Sequence, residues 1–387
     1  MKESYVRLGD VCEVQNGFAF DSKYFSSNEG EGMPLIRIRD ILNGFSKTYY
    51  TSDYQEEFIV HNGDFLIGMD GDFNIGQWKS EDALLNQRVC RLIPSNRILP
   101  KFIYYYIPTA LQEINNKTAY TTVKHLSSKQ VKAILLPNLS LSEQKRIVDI
   151  LDAEFEKIDR LRSNAELNLR HAKDIFQAAL KAELEPKDGW CVVELKDISE
   201  ICLGLTHTPK YVEGDGVPFV SVKDISGGHL DLSSTKLISR EEFATFPYGA
   251  KPLRNDVLFC RVGTIGYPLI LESDEPFGIF VSVGFLRPNT ALVSSPYLRY
   301  WMLSPMFHKQ VDDNVVGSTL KNLNTGWLKH FSVPLPPIEV QPQIIERIQS
   351  LEQRCKVLQD NYSKTVALCD DLKQALLRKA INGDLSA

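Results

Sequence analysis

Apolar and polar positions alternate over short stretches in two parts of the chain, and in two other parts apolar residues recur every three to four positions. Runs such as Pro34–Ile41 and Pro218–Ile225, broken on either side by Gly, Asn and Asp, have the pattern of short half-buried strands joined by turns. Each β-rich part passes into a compact helical stretch, around 101–114 and 297–311, and closes on an apolar strand ending in proline, at 133–137 and 331–337. Beyond those prolines the period becomes helical. One stripe runs through Ile147, Leu151, Ile158, Leu161, Ala165, Ala172, Ile175 and Ala179, with Glu154 and Asn168 as polar interruptions. A second runs through Ile344, Ile348, Leu351, Cys355, Leu358, Tyr362, Thr365, Cys369, Leu372 and Leu376. Ser142 is the expected N-cap of the first helix, and Asn382-Gly383 the expected stop of the second.

The two halves are copies of one unit. LGDVCEVQNG (8–17) aligns without a gap on LKDISEICLG (195–204), an offset of 187 residues. MPLIRIRDI (33–41) aligns on VPFVSVKDI (217–225), and GDFLIGMDG (63–71) on NDVLFCRVG (255–263), with small changes of offset that loop insertions explain. From TTVKHLS (121–127) against STLKNLN (318–324) the offset is 197, and it holds through both helical stripes. The expected organisation is a globular domain at 1–140, a helix at 141–185, a second globular domain at 186–337 and a second helix at 338–387. Two matched stripes can bury each other, whereas a stripe on one domain surface needs fewer positions. The predicted fold class is therefore α+β: two β-rich α+β domains, each followed by a long helix, the helices pairing as an antiparallel coiled coil in a pseudo-two-fold dumbbell.

Composition narrows the function classes. A length of 387 residues fits two domains of ordinary size, and 43% hydrophobic with 24% charged residues is globular composition. No run of about 18 apolar residues is present to span a membrane, and the start lacks a signal peptide's apolar core, so a cytoplasmic protein is expected. Seven cysteines, odd in number and never spaced C-x-x-C, suggest neither a disulfide framework nor a thiolate zinc site and are expected to be small buried apolar residues. A formal net charge of −5 argues against a nucleic-acid binder until the charge is localised. Residues 114–140 hold Lys117, Lys124, Lys129 and Lys132 and no acid, and 287–337 holds five Lys/Arg against Asp312 and Asp313. A basic face on each domain is thus expected.

In its ordered motifs the chain resembles the specificity (S) subunits of type I restriction-modification systems, the HsdS family. The resemblance spans essentially the whole chain. It rests on the L-x-D-I/V-x-E-hydrophobic-x-x-G opening at 8–17 and 195–204, the P-L/F-I/V-x-V/I-K/R-D-I run and the T/S-T-x-K-x-L segment. It rests also on the passage from LPNLSLSEQ (136–144) and LPLPPIEVQ (333–341) into a helix, and on the ending ALLRKAINGDLS (375–386). The second junction departs slightly, with Glu339-Val340-Gln341 followed at once by Pro342 where the first has Ser142-Glu143-Gln144. The resemblance implies two target-recognition domains, each binding one half of a split site on double-stranded DNA, with the helices as spacer. It implies two methyltransferase (M) subunits as partners, carrying S-adenosylmethionine, and restriction (R) subunits in the full complex, with no cofactor on this chain and no membrane partner. Roughly 40 helical residues at about 1.5 Å each would span about 60 Å, an upper bound on the order of 17 base pairs.

Candidate DNA-binding residues are polar and basic side chains in turn-rich segments: Asn74 and Gln77 beside Asp70 and Asp72 in the first domain, and Arg261, Thr264 and Tyr267 in the second. Asp70-Gly71-Asp72 fits an Asx turn equally well. Lys117 falls in the acid-free segment. Thr121, Thr122, Lys124 and His125 occupy places equivalent to Ser318, Thr319, Lys321 and Asn322. Lys124 and Lys321 suit phosphate contacts, while His125 and Asn322 differ at one matched position, as two domains reading different sequences would require. The alternative is that the hydroxyls cap a following turn and the lysines are solvated. No phosphate-binding loop, proline-aspartate nuclease motif or adenine-methyltransferase signature is present, and the seven histidines show no ligand spacing, so no catalytic or metal site is expected. The rival readings are a two-headed scaffold or ligand-binding protein, and a stand-alone nuclease with a degenerate site.

Overall fold

The computed structural model describes residues 5–117, 124–225, 228–262, 265–314 and 323–381. The chain divides into two units, the first formed by Met1–Asn164 with Thr365–Ala387 and the second by Ala165–Lys364. Each unit therefore contains one globular part and portions of both long helices.

In the first unit Tyr5–Arg7 pairs antiparallel with Leu135–Pro137, closing the ends of the globular part on each other. A four-stranded sheet follows in the order Cys12–Asn16, Val89–Pro94, Phe65–Gly68, Ile75–Gln77. A second sheet has the order Phe25–Ser26, Tyr49–Tyr50, Met33–Ile36, Ala83–Leu85, Ile59–Val60, and its strands Met33–Ile36 and Ala83–Leu85 run parallel. The second unit repeats this plan. Cys191–Glu194 pairs with Ser332–Leu335, and a four-stranded sheet runs Ser199–Leu203, Val283–Pro288, Val257–Cys260, Gly266–Ile270. Its other sheet runs Tyr211–Val212, Lys236–Ile238, Val217–Val220, Gly278–Ile279, the last two parallel. The added strand of the first unit is Ile59–Val60, which pairs with Ala83–Leu85.

The runs matched as strands are shorter than their alternation suggested. Strand Met33–Ile36 stops where Asp40 turns its carboxylate back to accept the Arg37 N–H at 2.9 Å, and a 3-10 turn covers Ile38–Asp40. Asp224 does the same to the Ser221 N–H at 2.7 Å, ahead of the turn Val222–Asp224. Both aspartates are buried. The Asp shared by the two copies is a turn-former, and the basic residues before it leave the sheet.

The long helices are Leu141–Leu184 and Gln341–Ile381, of 44 and 41 residues. The first is capped by Ser140 and not by Ser142: Ser140 Oγ accepts the Glu143 N–H at 3.3 Å while the Glu143 carboxylate accepts the Ser140 N–H at 2.9 Å, a reciprocal capping box. Asn382-Gly383 lies outside the described residues. In the first unit the start of one helix packs antiparallel on the end of the other. Ile147, Val148 and Leu151 share a core with Leu377 and Ala380, and Lys373 reaches Asp159 at 2.5 Å while Arg162 reaches Asp370 at 2.5 Å. In the second unit Leu180 and Leu184 share a core with Ile344 and Ile348, and Arg347 holds Glu183 at 2.9 Å.

The buried seam is displaced from the expected one at alternate positions. Leu161, Ile175, Leu358 and Leu372 are exposed by 50%, 54%, 41% and 47%. Phe155 and Phe176 take inward positions one residue beyond Glu154 and Ile175, packing on the cores of the first and second unit. A straight helix drifts about 20° per heptad against a 3.5-residue repeat, so neighbouring positions compete for the seam, and at 175 and 176 the larger side chain takes it.

One buried glutamine fixes each junction between globular part and helix. Gln144 Oε1 accepts the Leu99 N–H at 2.8 Å, and its Nε2 donates to the Arg97 and Leu139 carbonyls at 3.2 and 2.9 Å. Gln341 Oε1 accepts from the Ser294 N–H and hydroxyl at 2.9 and 3.0 Å, and its Nε2 donates to the Leu292 and Pro336 carbonyls at 2.9 and 3.3 Å. These are the glutamines that end the two junction motifs, 197 residues apart. Six of the seven cysteines are buried, as expected, and Cys191 is exposed.

Candidate nucleic-acid interface

Two adjacent parallel strands end on the same edge, which brings together the residues that follow each of them. In the first unit the register Ile36↔Leu85 sets Arg37 and Arg39 of the turn beside Asn86, Gln87 and Arg88 of the next loop. Between them lies a cleft of about 430 Å³ with Phe20 and Phe25 as its apolar wall. Arg37, Arg39, Gln87 and Arg88 are exposed, whereas Asn86 is buried and bridges to Phe18. Three arginines along one cleft, with an amide side chain among them, form a strongly cationic surface rich in hydrogen-bond donors, suited to the edges and phosphates of a nucleic acid.

Arg88 is held for its position. Its φ of 70° is left-handed, a conformation that costs a non-glycine residue roughly 1 kcal/mol or more. The loop is pinned around it: Gln87 N–H donates to the Phe18 carbonyl at 2.8 Å, and Met69 N–H donates to the Arg88 carbonyl at 2.9 Å. The guanidinium lies 3.5 Å from Asp70 and 3.1 Å from His125 Nδ1, which itself sits 2.6 Å from Asp70. One ring nitrogen cannot donate to Asp70 and accept from Arg88 at once, so the carboxylate is the partner common to Arg88 and His125. Strained backbone that is over-determined by its surroundings clusters at ligand sites.

The second unit has the same cleft in the same place, of about 240 Å³. Its register Val220↔Ile279 sets Ser221 and Lys223 beside Phe280, with Tyr211, Phe219 and Lys236 completing it and Lys236 Nζ 4.3 Å from the Tyr211 ring. The matched backbone carries different chemistry: Arg37 is replaced by Ser221, Asn86 by Phe280, Gln87 by Val281 and Arg88 by Ser282, while Arg39 is answered by the cation Lys223.

The residues singled out in the sequence fare unevenly. His125 joins the Arg88 cluster, and Lys117 and Tyr267 are exposed, Lys117 lying 3.9 Å from Glu113. Tyr267, at φ 48°, follows Gly266 in a second left-handed stretch. Others are turned to the fold itself. Gln77 Nε2 donates to the Gly63 carbonyl at 3.2 Å, and Lys124 Nζ to the Asn115 carbonyl at 2.8 Å. Arg261 donates to the Leu323 and Val281 carbonyls at 3.1 and 2.7 Å, and burial lowers its pKa. Asn74 is half-buried, its Oδ1 inaccessible. Thr121, Thr122, Thr264, Ser318, Thr319, Lys321 and Asn322 lie outside the described residues. Of the expected basic faces, Arg287 and Arg299 are half-buried and held by Asp256 at 2.6 Å and Glu352 at 2.8 Å. The cleft arginines went unseen in the sequence because Arg37-Ile38-Arg39 passes for strand alternation; the signal was its pairing with Ser221-Val222-Lys223 ahead of a common Asp.

Among the described residues no group of three or more His, Cys, Asp or Glu could hold a metal, and no helix is long and apolar enough to cross a membrane.

The type I restriction modification DNA specificity domain matches residues 2–169 and again 187–364. The type I restriction enzyme EcoBI specificity subunit of Escherichia coli is 33% identical over 100% of this chain and 87% of its own length. The MjaVIII specificity subunit of Methanocaldococcus jannaschii is 23% identical over 91% of this chain and 86% of its own. Among solved structures, a chain from a study of complex assembly and conformational transition in a type I R-M system superposes with a TM-score of 0.74 at 21% identity, covering 99% of both chains. The HsdS subunit of Thermoanaerobacter tengcongensis does so at 0.55 and 20%, covering 98% of this chain and 97% of its own. With the domain matched twice and the fold shared along its length, this chain belongs to the family of type I restriction-modification specificity subunits.

Proposed function

We propose that each unit binds one half of a bipartite double-stranded DNA target, that the paired helices set the spacer between the halves, and that the chain itself performs no catalysis. The observation that carries this reading is the repeated cleft: one backbone arrangement, present twice, lined by different side chains. A protein binding two copies of one ligand would keep the lining, and a scaffold would have no reason to build the cleft. Local charge answers the overall charge of −5, since Arg37, Arg39 and Arg88 crowd one edge.

On this reading two methyltransferase subunits dock on the helices, bring S-adenosylmethionine and modify adenine, and restriction subunits join them in the full complex, in the cytoplasm. The exposed apolar positions support such docking. Leu161 and Leu358 are one pair 197 residues apart, Ile175 and Leu372 another, and each unit presents one residue of each pair. Exposed apolar positions recurring in register suit two copies of one partner. The test is co-expression with the methyltransferase partner and genome-wide mapping of methyladenine. A split motif with a fixed spacer is expected; methylation at a continuous motif, or none above background, contradicts the reading.

A further inference from the structure

The two clefts differ in a way that sorts their residues by role. A DNA backbone is the same whatever its sequence, so a residue that holds a phosphate can be retained by two domains that bind different sequences, whereas a residue that reads a base edge must change. Arg39 and Lys223 occupy the same position, the second residue of the 3-10 turn after the strand, and both are exposed cations. Little in the fold requires Arg39. Its side chain is 67% exposed, its contact with Asp40 is 3.9 Å and that with Thr48 Oγ1 is 3.4 Å. Arg37 and Arg88, by contrast, are answered by Ser221 and Ser282, which change charge, length and hydrogen-bonding type together, and Gln87 by Val281, which removes all side-chain hydrogen bonding.

We propose that Arg39 and Lys223 are the shared phosphate contacts of the two half-sites, and that Arg37, Gln87 and Arg88 are the base-reading residues of the first unit alone. The proposal rests on the DNA-binding reading above and adds to it a division of labour. Arg88 is the strongest of the three. Its left-handed backbone and the contact of its guanidinium with Asp70 orient the fork before any ligand arrives, which is what bidentate recognition of guanine O6 and N7 demands. The second unit has no arginine there. With Tyr211, Phe219 and Phe280 around its cleft, its half-site is read without that fork, through apolar and hydroxyl contacts beside the ammonium of Lys236.

The test uses the complex with the methyltransferase partner, binding a randomised duplex library at several salt concentrations. Arg88→Lys keeps the charge and removes the fork. It should lower the preference for one guanine in one half-site by roughly tenfold or more, leaving the other half-site and the salt dependence unchanged. Arg39→Ala should weaken binding to every sequence alike and reduce the slope of log affinity against log salt by about one, with the motif intact, and Arg39→Lys should restore both. Arg37→Lys is a second base-reading variant on an exposed position. An unchanged motif in both Arg88→Lys and Arg37→Lys overturns the assignment, as does loss of all binding by both, or a changed motif in Arg39→Ala. Failure of the underlying reading looks different: the unaltered complex would then show no split preference.

Discussion

Replacing Gln341 by alanine tests how the globular part is fixed to its helix. The side chain is fully buried and bonds to four groups: the Ser294 N–H, the Ser294 hydroxyl and the carbonyls of Leu292 and Pro336. A net hydrogen bond contributes about 1 kcal/mol, and a buried polar group left unmet costs about 1–3 kcal/mol. The hydroxyl can turn to another partner, but the N–H and the carbonyls cannot. The expected loss is about 3–5 kcal/mol in the second unit, a fall of about 1–2 M in its urea midpoint. Tryptophan fluorescence follows that unit, because Trp190, Trp301 and Trp327 lie in it and only Trp78 lies in the first. Gln341→Glu keeps the acceptor but sets a carboxylate against two carbonyls. It should destabilise more near neutrality than at acidic pH, where the protonated acid again donates one bond. Gln144→Ala should produce a comparable loss in the first unit, since its partners Leu99, Arg97 and Leu139 are equally fixed backbone groups. A loss below about 1 kcal/mol in Gln341→Ala would refute the reasoning, because the junction would then be held by apolar packing.

Asp256→Ala strands Arg287, whose pKa is raised because the bond to buried Asp256, with help from Tyr248, outweighs the desolvation that opposes its charge; thermal or urea unfolding should show a loss of about 3–5 kcal/mol. Burial pushes the Glu352 pKa up, but hydrogen bonds from Arg299 and Tyr300 more than offset it and the folded value lies below the usual 4.5. That stability is present above the unfolded pKa and lost as pH falls through the folded one, so Tm should drop on acidification and Glu352→Gln should flatten the drop. Burial pushes the Cys12 and Cys90 thiols up to about 12, so brief alkylation of the native chain followed by mass spectrometry should mark exposed Cys191 and leave these two unmodified.

The repeat made most of the fold legible. Aligned copies located the strands, the junctions and both long helices, because backbone pattern is what the two halves retained. What stayed hidden depended on tertiary competition or on register between distant strands. Ile175 fits the helical stripe as well as Phe176 does, and only packing decides between neighbours one position apart. Arg37 and Arg39 fit strand alternation until the buried Asp40 is seen to end the strand. Their partner Arg88 lies 49 residues beyond Arg39 and reaches the cleft through the pairing of two parallel strands, which periodicity does not encode. Gln77 and Arg261 look like exposed turn residues by composition, yet each satisfies backbone carbonyls that the fold would otherwise leave bare.

The claim that two units read separate half-sites across a spacer set by the helices is tested most directly by lengthening the helices. Inserting one heptad into each, after Ala165 and after the matched Tyr362, preserves the seam and adds about 10 Å to the pair. Methyladenine mapping of the complex with its methyltransferase partner should then return the same two half-sites with a spacer longer by about 3 base pairs. An unchanged spacer, or altered half-sites, would contradict the account.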